Sequence, residues 1–350
     1  MPPSVHSGVA STGDPSVSII VPSYNRRDRL ARLLAGLRRE HENGARFEVV
    51  VGVDGSDDGT QAMLASLHSP FPLHATEQPR QGPSVARNAA IAAAQGDVLL
   101  FLDDDVWPHD GLVDRHVEVH RRQRSAAVIG RMVAPPGRAL PIWLDWENTM
   151  LARHYRRLVA GEIRPSWREF FTANASVRRE HAAAIGGFDA RFIRGQDIEF
   201  AYRLAHIGLT FRFLWDAVVY HEPDRTLEVW LRLAFERGRH HLMLEREMGL
   251  AEDRFMREDW RSLHPMNRLL ARWSTGHPRR SRVIAGALRR AMTSVGPRRA
   301  RLLLCSALFN VRYWDGVAEA TGLGSNLWDS FIESPDVVRR VVPHPEAGPP

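Results

Sequence analysis

Residues 97–108 read DVLLFLDDDVWP. The first half is one of the most hydrophobic runs in the chain, and a short apolar run of this kind reads as a strand buried on both faces. Three consecutive acids follow it, with no Lys or Arg beside them in sequence. Like charges packed so closely raise one another's pKa, and a bound cation relieves that cost. In an extended segment alternate side chains share a face, which predicts Asp103 and Asp105 on one side and Asp104 on the other. Two carboxylates at a strand end suit a hard divalent ion, which takes oxygen ligands and keeps positions for water and phosphate. A solvated acidic loop is the alternative reading.

Working outward, VSIIV (17–21), FEVVVGV (47–53) and a weaker run near Leu73 read as further strands. Leu30, Leu33, Leu34 and Leu37 recur at helical spacing within 26–40, and helices are expected near 60–67 and over 84–95, the last closed by Gly96. Strand and helix alternating in this order predict an α/β fold, a mostly parallel sheet with helices on both faces. Such sheets bind ligands at the carboxyl ends of their strands. Polar residues collect there: Pro22, Ser23, Tyr24 and Asn25, then Asp54 to Asp58, then the acidic triplet. GVDGSDDGT (52–60) imitates a calcium loop, but its twelfth position is Ala65 where a bidentate Glu is required. That leaves a turn in which Asp58 or Thr60 caps the next helix, or an Asp54 that accepts hydrogen bonds from a nucleotide base. From Gly137 to Trp167 the periodicity weakens and suggests an irregular insertion or lid. Trp143, Trp146 and Trp167 there are read as core or lid anchors, with stacking on sugar as the alternative. A strand, a turn and a helix return over 170–208, and the chain beyond Thr226 reads as helical.

The 350 residues carry a net charge of +6 and a pI of about 10.3. All 47 basic residues are Arg, a bias that GC-rich coding explains, and they are dispersed rather than gathered with aromatics into a stripe. A nucleic-acid partner is therefore not expected. No apolar run approaches the roughly 20 residues needed to span a bilayer. The single cysteine, Cys305, excludes an internal disulfide and fits a reducing, cytoplasmic setting. Residues 1–15 lack a basic start and an apolar h-region, so a disordered lead is expected rather than a signal peptide, and 341–350 reads as a disordered tail. The basic cluster from Arg279 to Arg301 lies beside Leu-rich helical faces around Val283 to Phe309. Peripheral contact with the inner face of a membrane, a packed helical subdomain and a homodimer contact are the three readings of it.

VSIIVPSYNR, VDGSDDGT, GPSVARNAAIAAAQGDVLLFLDDD, FFTANASVRRE, GGFD and GQDIEFAYRLAHIG occur in this order. The chain thereby resembles the family 2 glycosyltransferases, inverting enzymes of the GT-A fold, over about Ser16 to His241. The resemblance implies a Rossmann-like sheet flanked by helices, with a helical C-terminal extension. It implies a nucleotide-sugar donor, most often a UDP-sugar, beside Pro22, Tyr24 and Asn25, with its base read by Asp54. Many members carry two adjacent acids where this chain has Val53 and Asp54. Arg87 and Asn88 match an Ala-Arg-Asn element that supports the nucleotide pocket. Asp103 to Asp105 match the DxD motif: Asp103 near the ribose, Asp104 counted with the donor site, and Asp105 on a Mn²⁺ or Mg²⁺ ion that Asp103 and His221 help to hold. Asp197, in GQDIEF, matches the general base that deprotonates a hydroxyl acceptor.

The expected organisation is a nucleotide-sugar half over 16–135, an acceptor half over 136–241 and a helical region over 242–340. The alternatives to a metal-dependent inverting transferase are a catalytically degenerate sugar-nucleotide scaffold and a nucleotidyltransferase. The Gly-rich loop with Arg and Lys that the nucleotidyltransferase would carry at its first strand end is absent.

Overall fold

The apolar runs of the N-terminal third pair as strands in the computed structural model, which describes residues 14–192, 194–248, 254–294 and 296–328. Apart from Asp14 and Pro15, the expected lead and tail lie outside the described residues. In chain order the elements are β1 (Val17–Ser23), α1 (Arg27–Glu42), β2 (Glu48–Asp54), α2 (Thr60–Ser66), β3 (Leu73–Gln78), α3 (Pro83–Ala93) and β4 (Val98–Phe101). Then come β5 (Val106–Pro108), α4 (Leu112–Arg122), β6 (Ala126–Val133), α5 (Ile142–Val159), β7 (Ala175–Arg178), α6 (Arg179–Ala184), α7 (Gln196–His206) and β8 (Thr210–His221). Five helices follow: α8 (Leu227–Glu247), α9 (Arg254–Ser262), α10 (Pro265–Ser274), α11 (Pro278–Thr293) and α12 (Arg298–Thr321).

The sheet runs β3-β2-β1-β4-β7-β6-β8-β5. Its first four strands are parallel, and β7 is antiparallel to both β4 and β6. The sheet is therefore mixed, and the expected parallel character holds only for the half that the βαβ alternation builds. The described residues fall into two compact units. One lies within Met1–Met132, Arg164–Ala190 and Arg203–Tyr220, and the other within Val133–Ile163, Arg191–Tyr202 and His221–Pro350. The chain passes between them repeatedly, so no single cut in sequence separates them.

In the first unit, Leu30, Leu33, Leu34 and Leu37 of α1 are buried against Ile19, Val49, Val51 and Leu100 of the strands. The strands are apolar on both faces because helices cover both. Behind the antiparallel half lies a buried polar pair that sequence periodicity does not reveal. His116 Nδ1 and His120 Nε2 of α4 each lie 2.8 Å from the Ser176 hydroxyl of β7, and His116 Nε2 is 3.1 Å from Asn174 Oδ1. Burial pushes His116 down to about 4 and His120 down to about 3, so both are neutral at physiological pH.

Those shifts make a prediction. An unfolded histidine takes up a proton near pH 6.5 and these cannot, so their stabilisation is present above that value and is lost as pH falls towards 4. Asp104, pushed up to about 6 by burial, acts in the opposite sense: its contribution is present below the unfolded carboxylate range and is lost as pH rises through 6. For these three groups two protons outweigh one, while Glu40 and Asp315, whose carboxyl pKa burial also raises, oppose the loss, so the expected result is a fall in stability between pH 7 and pH 5 that is smaller than the two histidines alone would give. Urea unfolding at the two pH values measures it, and equal stability at both would mean the imidazoles titrate normally.

In the second unit, the segment expected to be an irregular insertion contains the 18-residue helix α5. Its buried residues include Ile142, Trp146, Tyr155 and Leu158. Trp146 packs edge-on against Trp230 at 5.6 Å and tilted on Phe309 at 5.0 Å. Trp146 is thus a core residue, and packing decides a helix whose period is obscured by interspersed Trp, Arg and Glu. Helices α8 and α12 cross at two glycines: a Cβ on Gly238 would lie 2.0 Å from the Tyr313 carbonyl oxygen, and one on Gly316 2.0 Å from that of Phe235. No side chain fits there, which is why both long helices tolerate an interior glycine. Among the described residues no helix is long and apolar enough to cross a membrane.

Candidate functional site

The parallel register sets the ends of β1, β2 and β4 side by side, with Ser23 level with Val53 and Ile20 level with Phe101. Beyond β1 the chain turns through Asn25 at φ 49°, the one non-glycine in the left-handed region among the described residues. Asn tolerates that conformation because its short polar side chain bonds locally. Here it bonds across to the β2 loop: Asn25 Nδ2 donates to Asp57 (2.7 Å), while Asn25 Oδ1 accepts from the Asp57 amide (2.9 Å). The Asn25 amide donates to Ser56 Oγ at 3.1 Å. Asp58 completes the clamp by accepting from the backbone amides of Arg27 (2.8 Å) and Thr60 (3.1 Å), at the starts of α1 and α2. Asp58 thus satisfies the first amide of each of two helices, whereas the N-cap position of α2 is held by Gly59 rather than by Asp58 or Thr60.

Asp54 ends β2 and is buried. Its Oδ1 accepts from Gln78 Nε2 and the Gln81 amide, both at 2.8 Å, and its Oδ2 from the Gly82 amide at 2.9 Å. These donors hold the carboxylate in one orientation and occupy three of its roughly four acceptor positions. Over Tyr24 lies the guanidinium of Arg80, 4.3 Å from the ring centroid. Pro22 is half-buried at the end of β1.

The acidic triplet departs from the expected alternation. The strand stops at Phe101, and a turn follows in which the Val106 amide donates to the Asp103 carbonyl at 3.3 Å. The triplet is thus not extended. Asp104 turns inward, taking hydrogen bonds from Ser23 Oγ (2.9 Å) and Arg26 Nη1 (2.8 Å), so it ties the β4 end to the β1 end rather than facing a ligand. Asp105 shares the same Arg26 nitrogen at 3.1 Å and has Arg29 at 3.9 Å. Asp103, a third exposed, pairs with Arg87 Nη2 at 2.7 Å.

The acids are therefore not without positive partners, as their sequence neighbourhood implied: α1 and α3 supply three guanidiniums. A signal was available. Arg26 and Arg27 stand at the start of α1 and Arg29 in its first turn, where the helix dipole disfavours cations. Arginines placed against the dipole point to carboxylates elsewhere.

Arg87 is buried, with Nε and Nη1 lacking any hydrogen-bond partner among the described residues. Asn88 engages both amide groups with the Phe188 backbone, donating to its carbonyl (2.7 Å) and accepting from its amide (2.8 Å). Asn88 thus braces the GGFD loop, using one of its two donors and one of its two acceptor positions there. Asp197 lies half-buried in the first turn of α7, with Oδ1 2.9 Å from the Ile198 amide, and His221 ends β8. Both belong to the second unit, whereas every other candidate belongs to the first.

Among the described residues no three His, Cys, Asp or Glu side chains converge so as to hold a metal ion. A cation at this edge would be bound by one or two carboxylates and by a ligand's own oxygens. Asp103 and Asp105 carry the oxygen donors that Mg²⁺ or Mn²⁺ takes, and each is paired here with a guanidinium, Asp103 with Arg87 and Asp105 with Arg26.

A family model described as Glycosyl transferase family 2 matches residues 18–186. The chain is 30% identical over 254 residues to the succinoglycan biosynthesis protein ExoM of Rhizobium meliloti (strain 1021), covering 67% of this chain and 78% of that one. With glycosyltransferase YfnE of Bacillus subtilis (strain 168) it shares 29% identity over 253 residues, covering 59% of this chain and 64% of YfnE. It thus spans slightly under two-thirds of YfnE. Among solved structures, the mannosyltransferase PcManGT from Pyrobaculum calidifontis in complex with GDP-Man and Mn²⁺ superposes at a TM-score of 0.56 with 21% identity. That likeness covers 91% of this chain and 89% of PcManGT, and the shared fold is GT-A.

Proposed function

The chain belongs to glycosyltransferase family 2, and we propose that it transfers a sugar from a nucleotide donor, in the first instance a UDP-sugar, to a hydroxyl acceptor with inversion. The observation that carries this reading is the gathering of Tyr24, Asp54, Arg26, Arg87 and the acidic triplet at one sheet edge, where α/β sheets bind ligands.

Asp54, fixed by Gln78 and two amides, is suited to accept a ring N–H from the base. Uracil, thymine and guanine offer one and cytosine does not. Arg26, Arg29 and Arg87 supply positive charge for a diphosphate, with Arg87 preset by Asp103 and Arg26 by Asp104. Asp103 and Asp105 would hold Mn²⁺ or Mg²⁺, which offsets charge on a departing diphosphate. Asp197 takes the acceptor's hydroxyl proton as that oxygen bonds to the anomeric carbon. The bond from that carbon to the diphosphate oxygen breaks on the opposite face, so a nucleoside diphosphate leaves.

A thermal-shift screen against UDP, GDP, dTDP and CDP, each with Mn²⁺, Mg²⁺ or EDTA, tests the donor site. A ligand at a hundredfold excess over its Kd stabilises the native state by about 3 kcal/mol. The expected result is a metal-enhanced shift with UDP and none with CDP. No shift with any nucleotide would make the acids purely structural and favour the scaffold reading.

A further inference from the structure

Helix α10 is turned the wrong way round for a helix that only packs. Its buried residues are Asn267, Ala271 and Ser274, small or polar, while Met266, Leu269 and Trp273 are 55%, 62% and 54% exposed. These three stand at i, i+3 and i+7, so they form one stripe. The stripe continues in charge onto α11, where the Arg280 guanidinium lies 5.6 Å from the Trp273 ring centroid. On α11, Val283 is 70% exposed. It stands three, four and seven residues from Arg280, Arg279 and Arg290, which puts them on one face.

The charge around this stripe says what covers it. Between Asp259 and Asp315 the sequence holds twelve arginines and no Asp or Glu. The whole chain has a net charge of only +6, so everything outside this segment is net negative. Arg272, Arg279, Arg280, Arg282 and Arg290 are exposed and have no carboxylate partner among the described residues. A second copy docked by this same face would bring like charge against like. A nucleic acid would use the arginines but has no use for exposed Met, Leu and Val. A surface that is anionic outside and apolar beneath uses both.

We propose that α10 and the exposed face of α11 form a docking surface for an anionic lipid bilayer, with Met266, Leu269 and Trp273 entering the acyl boundary and the arginines meeting the headgroups. The Leu-rich faces around Val283 to Phe309 that the sequence offered for this role are largely consumed by packing: Ile284, Met292, Cys305 and Leu308 are buried, and Leu303 and Val283 remain outside. The docking residues lie mainly one helix earlier.

Vesicle flotation of the full chain tests the proposal, with vesicles of phosphatidylcholine alone and of phosphatidylcholine mixed with phosphatidylglycerol. The expected result is flotation only with the anionic vesicles, weakened by salt. Leu269→Glu with Trp273→Glu should reduce it at least tenfold with an unchanged melting temperature. Leu269→Ser with Trp273→Ser gives the same readout should the double glutamate fail to fold. Three results would overturn it: no flotation of the wild type, full flotation of the apolar variants, or tighter binding of poly(U) RNA that the apolar substitutions leave unchanged. A dimer that the same substitutions convert to monomer would assign the stripe to a second copy instead.

Discussion

Asp197→Ala is expected to lower the turnover of sugar transfer by about 10²–10⁴-fold with donor saturating, while donor affinity and melting temperature stay near wild type. That range is what a positioned general base contributes. The expectation rests on where the carboxylate stands. In the first turn of α7 it bonds its neighbouring amide at 2.9 Å, and the interaction of a first-turn carboxylate with the helix dipole contributes about 0.3–1 kcal/mol. A structural role would therefore show as a small stability change with turnover retained. A catalytic role would show as the reverse, with the missing step in proton removal, so a more acidic acceptor hydroxyl should recover part of the rate. Turnover within a few-fold of wild type would remove Asp197 from the chemistry.

Asp105→Ala is expected to act on the donor instead. The substitution deletes a carboxylate shared with Arg26 and approached by Arg29, and it takes away the oxygen proposed for the metal. A charge-assisted contact contributes about 1.5–3 kcal/mol, so the Kd for the nucleotide should rise roughly 10–100-fold in the presence of Mn²⁺ or Mg²⁺. In EDTA the wild type and the variant should bind nearly alike, because the difference between them runs through the ion. The variant also frees Arg26 to pair with Asp104 alone, so the fold should persist. Equal nucleotide affinity of wild type and variant with metal present would make Asp105 a structural partner of Arg26 and leave the cation elsewhere.

The sequence was legible where local pattern and final packing agree. VSIIV, FEVVVGV and VLLFL became adjacent parallel strands because each is apolar on both faces, and the leucines of α1 fall on the buried face that their spacing predicts. It was misleading where tertiary contact outweighs pattern. Helix α5 is decided by Trp146 packing on Trp230 and Phe309, residues far along the chain. The acidic triplet looked uncompensated because its partners, Arg26 and Arg87, lie 78 and 16 residues away from the acids they bind. Alternation failed at the same place for a local reason: the strand ends at Phe101, so the rule for extended chains does not reach Asp104. The outward stripe of α10 was invisible for a different reason. Its period reads as an ordinary amphipathic helix, and only burial reveals that the large residues face solvent.

The most direct test of the account is the phosphorus-containing product. The protein would be incubated with UDP-, GDP- and dTDP-sugars, Mn²⁺ or Mg²⁺, and an acceptor pool of polar metabolites and lipids, and followed by ³¹P NMR. The expected result is that one donor is converted to its nucleoside diphosphate, faster with acceptor than without, and at least about a hundredfold more slowly by Asp197→Ala. Release of a nucleoside monophosphate or pyrophosphate, or no turnover of any donor that the protein demonstrably binds, would contradict it.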